Sequence, residues 1–290
     1  MLGFVNVFKP AGPTSANVVA RVRRIYSVYA NDRHVPAGHL GTLDPQVAGV
    51  LPVAVGKATR LIPLLTDRRK AYAGVLALGR ATNTQDAHGE TTAQSPVPES
   101  WPQLLERALP RFCGRIEQTP PMFSAVHHNG RRLYDIAREG GVVQRRPRSV
   151  VVYSLDCIGV EERAARIRVT CGEGTYVRTL FSDLGDAIGV PAHMAALVRE
   201  ASGPFVLGEA KTLDEIATDP SGALIAPEHI IPFPTIVLDL RSVVDFRAGR
   251  IVPLPEGAAG KHVFVHDESR ALVGLGEAHG AFLAPRKVFL

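Results

Sequence analysis

The stretch that most constrains this chain is Gly38-His39-Leu40-Gly41-Thr42-Leu43-Asp44-Pro45, followed at once by the apolar run Val47 to Val55. Glycines loosen the backbone on both sides of His39, and Pro45 biases Asp44 towards extended geometry and away from right-handed helix. The run that follows reads as a buried strand. One carboxylate is therefore held out on a polar loop where it meets a sheet. An Asp in such a place is ordinarily a turn or cap residue, so this window alone assigns it no chemistry.

What surrounds the loop is a chain of 290 residues, 46% hydrophobic, enough for one large domain and a small one without covalent staples. Cys113, Cys157 and Cys171 are far apart and odd in number, which argues against a disulfide framework or a Cys-x-x-Cys metal site and for a reducing cytoplasm. Apolar stretches are broken by Gly and Pro well short of a membrane span, so neither export nor insertion is expected. A formal net charge of +5, with Arg far outnumbering Lys, points to a polyanionic partner gripped through bidentate phosphate contacts.

Along the chain, residues 3–9 read as a strand entering Lys9-Pro10-Ala11-Gly12-Pro13-Thr14-Ser15, whose hydroxyls can cap a helix striped by Val18, Val19, Val22, Ile25 and Tyr26. Arg21, Arg23 and Arg24 fall on its solvated face. Gly56-Lys57-Ala58-Thr59 lacks the upstream glycine of a phosphate-binding P-loop, because Leu51 stands there, so nucleotide binding is rejected and residues 59–66 are expected to begin a helix. Lys70-Ala71-Tyr72 enters a strand ending at Gly79, where an aromatic residue is ordinary. Thr82 to Gly89 reads as a hydrogen-bonded turn, as architecture only. Ser100 to Gln103 resembles a capping box opening a helix to about Phe112.

Between residues 120 and 148, His127, His128, Arg131, Arg132, Arg138, Arg145, Arg146 and Arg148 surround Leu133, Tyr134 and Ile136, a composition suited to phosphate. Strands are expected over 148–160 and 165–171, the second alternating cleanly. Gly172-Glu173-Gly174 then breaks the strand and starts a helix on which Tyr176, Leu180 and Leu184 share a face, which leaves Arg178 unexplained by packing. Residues 191–200 read as another short helix, and Thr212 to Glu215 as a capping box before a connecting helix. Ile231-Pro232-Phe233-Pro234 marks a boundary. Short alternating segments at 236–238, 262–265, 272–275 and 287–290 beyond it indicate a small β-rich module. His262 and His266 share a side of one strand with no third ligand nearby, so no zinc site is expected.

The octet, Lys70-Ala71-Tyr72 and Gly174-Thr175-Tyr176-Val177-Arg178-Thr179-Leu180 together closely resemble the TruB family of pseudouridine synthases, the bacterial enzymes of uridine 55 in tRNA. The 9–15 and 82–89 stretches, Pro120-Pro121-Met122-Phe123-Ser124-Ala125 and Ala201-Ser202-Gly203-Pro204-Phe205 extend the likeness over nearly the whole chain. Phe123 replaces the family's common Tyr, His127 its usual Lys, and Leu197-Val198-Arg199 its usual Leu-Arg-Arg. The resemblance implies an α+β fold: a pseudouridine synthase catalytic domain over 1–231 with a mixed, largely antiparallel sheet, a basic RNA-binding thumb at about 120–148, and a small C-terminal PUA-like RNA-binding domain over 232–290.

It also implies a reaction, in which a uridine is flipped out of the T-loop, its C1′–N1 bond is broken, and C5 is joined to C1′. That isomerisation requires no metal, nucleotide or other cofactor. Asp44 would be the essential carboxylate, and Arg178 would pair with it, lowering its pKa and orienting it. Tyr72 would stack on the base and assist proton transfer. Tyr176 and Leu197 would wall the pocket, and His39 would fill the space the base vacates. Lys9, Lys70, Arg131 and Arg132 would hold the RNA backbone. The partner implied is the tRNA T-arm, bound by a cytoplasmic monomer away from any membrane. Two rival readings keep the RNA and change the chemistry: a tRNA-binding or tRNA-folding protein without catalysis, and a synthase acting on a different uridine. Metal-dependent hydrolysis is disfavoured by the absence of clustered ligands at suitable spacing.

Overall fold

In the computed structural model, which describes residues 1–124, 126–257 and 260–289, the apolar run after the octet becomes a strand buried almost throughout. Leu2–Lys9 (β1) leads to Ser15–Tyr29 (α1), then Ala37–His39 (β2), Ala48–Gly56 (β3), Lys70–Leu78 (β4), a hairpin of Arg80–Thr82 (β5) and Thr91–Gln94 (β6), and Trp101–Ala108 (α2). Gly114–Gln118 (β7) precedes the basic segment, which holds His127–His128 (β8), Arg131–Arg132 (β9) and Leu133–Arg138 (α3). Arg148–Glu161 (β10), Ala164–Cys171 (β11), Val177–Ala187 (α4), Ala192–Ser202 (β12), Phe205–Val206 (β13) and Leu213–Thr218 (α5) complete this part.

Nine of these strands, among the described residues, form one sheet with the path β1-β3-β12-β4-β11-β10-β7, β2 adding to β3 and β13 to β12. Every pairing is antiparallel except β3 with β12, where Val198 lies opposite Ala48 and Arg199 opposite Gly49. The fold is thus α+β with a mixed, largely antiparallel sheet, as expected. α1 packs Val18, Val19, Val22 and Tyr26 onto it, and α4 packs Leu180, Phe181 and Leu184. Each such side chain removed from water stabilises the fold by about 1.5–3 kcal/mol.

The caps at Thr14 and Thr212 form as expected, each closed reciprocally by the residue three positions on, Asn17 and Glu215. Other local expectations fail. Residues 192–202 are a central strand instead of a helix: Ala, Met and Leu favour helix locally, but burial between β3 and β4 with a full ladder to β4 outweighs a few tenths of a kcal/mol per residue. Ser100 makes no side-chain cap, and α2 ends at Ala108, giving way to a 3-10 turn over Leu109–Phe112. Pro110, lacking an N–H, sits at the start of that turn. Lys57–Leu64 is likewise a 3-10 helix, with Pro63 inside it.

Beyond Ile231 to Pro234, Thr235–Val237 (β14), Leu240–Arg247 (α6), Val252–Pro253 (β15), His262–His266 (β16), Leu272–His279 (β17) and Phe282–Val288 (β18) build a five-stranded sheet in the order β14-β16-β17-β18-β15. Phe264 and Leu275 of this sheet, with Phe289 just past β18, share an apolar cluster with Phe4, Val50 and Phe205 of the larger sheet and Leu61 of the 3-10 helix at Lys57–Leu64. Two polar ties cross the same junction, Arg60 Nη1 to the Val288 carbonyl at 2.8 Å and His266 Nε2 to Glu228 Oε1 at 2.7 Å. Ala125, the last residue of the 120–125 stretch, and Leu290, the end of the last expected strand, lie outside the described residues. Among those described, no helix is long and apolar enough to cross a membrane.

Candidate active site

The octet leaves β2 as a loop whose backbone is gripped from below. Arg199, wholly buried on β12, donates Nη2 to the Gly41 carbonyl (3.0 Å), Nη1 to that of Thr42 (3.3 Å) and Nε to that of Val50 (2.7 Å). Ser15 Oγ donates to the Leu43 carbonyl and accepts from its N–H, both at 2.9 Å. Lys9, also fully buried, sends Nζ to the carbonyls of Pro10 (2.9 Å), Pro45 (2.8 Å) and Val47 (2.8 Å). The fit is close enough that a Cβ on Gly49, whose φ is +115°, would stand 2.3 Å from the Arg199 carbonyl oxygen. Only glycine satisfies both that contact and that φ.

From this platform Asp44 faces Arg178 on the first turn of α4, with Oδ2 3.5 Å from Nε, the carboxylate 35% exposed and the guanidinium 5%. Asp86 approaches Arg178 from the other side at 3.9 Å. Arg178 also donates to the carbonyls of Phe123 and, at 3.5 Å, Thr84. Asp86 is in turn fixed by Thr84 Oγ1 (2.7 Å), the His88 N–H (3.0 Å) and Gln46 Nε2. One cation is thus shared between a carboxylate open to solvent and a buried one.

Burial changes the expected electrostatics. The sequence reading has Arg178 lowering the Asp44 pKa, yet the carboxyl lies above its usual range: loss of water around it is the largest influence, Arg178 opposes it, Asp86 adds to it and Lys9 opposes it. Arg178 offsets the cost of drying Asp44 without overcoming it.

Above the pair opens a cavity of about 340 Å³, lined by Asp44, Lys70, Tyr72, Tyr176, Arg178 and Leu197 together with Thr42, Ser124, Arg148 and Met194. That is within the range of small-ligand sites, about 300–1,000 Å³. Tyr72 and Leu197 sit on neighbouring strands of the sheet beneath it, and burial pushes the Tyr72 phenol up, with Arg199 opposing. The Tyr176 ring is flanked by two guanidiniums, Arg148 at 4.9 Å and Arg178 at 5.7 Å. Gln118, at the end of β7, donates Nε2 to the Tyr176 carbonyl (3.0 Å) and accepts from its N–H (2.7 Å), tying the root of the basic segment to the start of α4.

Six of the expected residues, Asp44, Lys70, Tyr72, Tyr176, Arg178 and Leu197, therefore converge on one cavity. His39 does not line it; it stands half-buried on β2 opposite Val53, with Nδ1 buried and unbonded and its pKa held down by burial, then by Arg199. Arg131 and Arg132 are exposed on β9, Arg131 paired with Glu139 at 2.6 Å. Lys9 overturns its expectation. A fully buried ammonium with three carbonyl acceptors has nothing left for a phosphate, so it holds the loop instead of RNA. Asp86 was missed, hidden in a stretch read as a turn, and so was Arg199.

Comparison with known proteins adds an independent line. Residues 27–177 match the model of the TruB family pseudouridylate synthase (N terminal domain), and residues 178–221 that of the tRNA pseudouridylate synthase B C-terminal domain. The tRNA pseudouridine synthase B of Dechloromonas aromatica is 40% identical over 295 residues, covering 99% of this chain and 95% of that protein. The one from Symbiobacterium thermophilum is 48% identical over 218 residues, 74% of this chain and 71% of that protein. Among solved structures, a Cbf5-Nop10-Gar1 complex aligns with a TM-score of 0.66 at 30% identity, over 99% of this chain and 85% of that one. An H/ACA RNP bound to a substrate RNA containing 2'-deoxyuridine aligns at 0.66 with 28% identity, over 99% and 85%. The five-stranded sheet lies beyond both matched spans of the family models.

Proposed function

This chain belongs to the TruB family of pseudouridylate synthases, and on that footing we propose that it isomerises uridine 55 of the tRNA T-loop with Asp44 as the reacting carboxylate. It is a tRNA pseudouridine synthase, an isomerase, so no group is gained or lost overall. The C1′–N1 bond breaks, the uracil turns, C5 bonds to C1′, and the proton displaced from C5 is balanced by one taken up at N1. The observation that carries the residue assignment is the Asp44–Arg178 contact of 3.5 Å at the floor of a cavity walled by Tyr72, Tyr176 and Leu197.

Each wall has a task in that reaction. Asp44 acts on the ribose as an anion, and Arg178 and Lys9 favour that form against the loss of water. Asp86, buried beyond Arg178, keeps the guanidinium in place when Asp44 engages the sugar. Tyr72, which lines the cavity, stacks on the base and assists proton transfer, and Leu197 and Tyr176 confine the detached ring away from water. Reaching the cavity requires extruding the nucleotide, at a cost of a few kcal/mol, and His39 on the adjoining strand fills the vacated space.

The basic segment of about 120–148 closes on the T-arm backbone through Arg131 and Arg132, and Lys70 meets the nucleotide at the cavity edge. The unit at 232–290, set off from a catalytic domain of 1–231, is a PUA-like RNA-binding domain. The enzyme acts as a cytoplasmic monomer. Incubation of the purified protein with a tRNA transcript in chelator, followed by mapping of pseudouridine, tests the assignment. Modification at position 55 alone supports it, modification elsewhere supports a different target uridine, and tight binding with no modification supports a folding or binding protein.

A further inference from the structure

We infer that Arg199 is a positioning residue of this reaction: its guanidinium ties the loop that carries Asp44 to the strand carrying Tyr72, so that carboxylate and stacking ring keep one spacing. The inference rests on the assignment of Asp44 and Tyr72 above and adds a residue behind them.

Three observations carry it. First, the three acceptors of Arg199 come from both sides of Asp44, the Gly41 and Thr42 carbonyls before it and that of Val50 after it, so the planar fork closes the loop as a staple does. Second, Arg199 lies directly opposite Tyr72 in the β12–β4 ladder and opposite Gly49 in the β12–β3 ladder. Directly opposed side chains project from the same face of a sheet, which puts the guanidinium stem beside the Tyr72 ring, and Leu197, two residues back, on that face too. The Tyr72 phenol registers this proximity, since Arg199 opposes the upward push of burial on it.

The third observation is what Arg199 lacks. It has no exposed surface, and its hydrogen-bond acceptors among the described residues are backbone carbonyls, with no carboxylate paired to it. A cation buried without a counter-ion carries a desolvation cost that an apolar residue would avoid, and here the carbonyls of Gly41, Thr42 and Val50 offset it. Lys9, its counterpart at the other end of the loop, has Asp44 nearby to pull its proton affinity back up. Arg199 has none, and its arrangement is explained by what it holds.

The test compares Arg199→Lys and Arg199→Met with wild type in single-turnover isomerisation of a tRNA transcript, counting only molecules that bind tRNA, with the dissociation constant measured separately. Arg199→Lys keeps the charge but reaches fewer carbonyls, and Arg199→Met keeps the stem alone. The expected result is a chemical step slowed by about 100-fold in Arg199→Met and less in Arg199→Lys, with tRNA affinity changed less than about threefold, the scale of a small misplacement of reacting groups. A chemical step at the wild-type rate in binding-competent Arg199→Lys, or a loss lying wholly in tRNA affinity, overturns the inference. Asp44→Asn run alongside keeps the two claims apart. If Asp44→Asn reacts normally, the Asp44 assignment fails, whereas an inactive Asp44→Asn beside a normal Arg199→Lys removes only the role of Arg199.

Discussion

The loop around Asp44 and the basic segment at about 120–148 are both polar excursions from the same sheet, yet they are built in opposite ways. In the loop, the carbonyls of Gly41, Thr42, Leu43, Pro45 and Val47 each accept from a buried side chain. In the basic segment, two-residue strands and a six-residue helix carry exposed cations. Its ties include a Phe123–Tyr134 edge contact at 6.5 Å, Arg138 over the Tyr134 ring at 4.5 Å, Arg145 to the Pro120 carbonyl at 3.0 Å and the exposed Arg131–Glu139 pair. On the proposed reading, a carboxylate that meets a ribose at one distance gains from rigidity, whereas a surface that follows a folded RNA gains from give. The two regions meet at Arg178, which donates to Phe123 of the basic segment while facing Asp44 of the loop.

Breaking the rigid side should have the larger consequences. Asp44→Asn is expected to drop product formation to background while leaving tRNA binding intact in a filter or fluorescence titration. Its stability goes the other way. An acid whose folded pKa is raised costs stability once pH exceeds its unfolded value, so stability falls as pH rises through that window, and removing the charge at neutral pH leaves Tm equal to or above that of wild type. A calorimetric Tm well below wild type would contradict the account. Gly49→Ala strains a φ of +115° and drives a methyl into the Arg199 backbone, so a loss of about 3 kcal/mol or more is expected in denaturant unfolding.

The compliant side should respond by degrees. Replacing Arg131 and Arg132 with Ala is expected to weaken tRNA binding and flatten its dependence on salt by about one unit of slope for each phosphate no longer neutralised, with the saturated rate unchanged. A drop in the saturated rate at unaltered affinity would place these residues in the chemistry. The smallest effect concerns pH. Burial lowers the Lys9 ammonium to about 8, with Asp44 opposing, so the grip on Pro45 and Val47 should loosen above that pH and activity should decline there. Because the folded chain gives up this proton before the unfolded chain does, the Lys9 contribution to stability rises between pH 8 and its usual value of 10.5. An alkaline loss of rate with no fall in Tm is therefore expected, and a parallel fall of both would contradict it.

Much of this site was legible in the sequence, and the failures share a cause. Arg178 stands out as an arginine that no packing face explains, whereas Asp44 reads locally as a turn residue and Tyr72 as an ordinary strand aromatic, and only the family resemblance gives those two their roles. Asp86 escaped because its carboxylate does bond its own turn, through Thr84 and His88, while its other oxygen faces Arg178 across the fold. A residue with a sufficient local reason conceals a distant one. Lys9 misled in the opposite sense, since it was expected to hold the RNA backbone, and its strand pairing with Gly49 places it beneath the loop. Reading residues 191–200 as helix hid Arg199 altogether, because its relation to Tyr72 and Gly49 exists only across strands.

The central claim is that the rigid loop performs the isomerisation through Asp44. The most direct test is tritium release from a tRNA transcript labelled at uridine C5, measured in a single turnover with wild type and Asp44→Asn at equal, saturating enzyme. The account predicts complete release by wild type and none by Asp44→Asn from equally bound tRNA. Release by Asp44→Asn at a rate near wild type would contradict it.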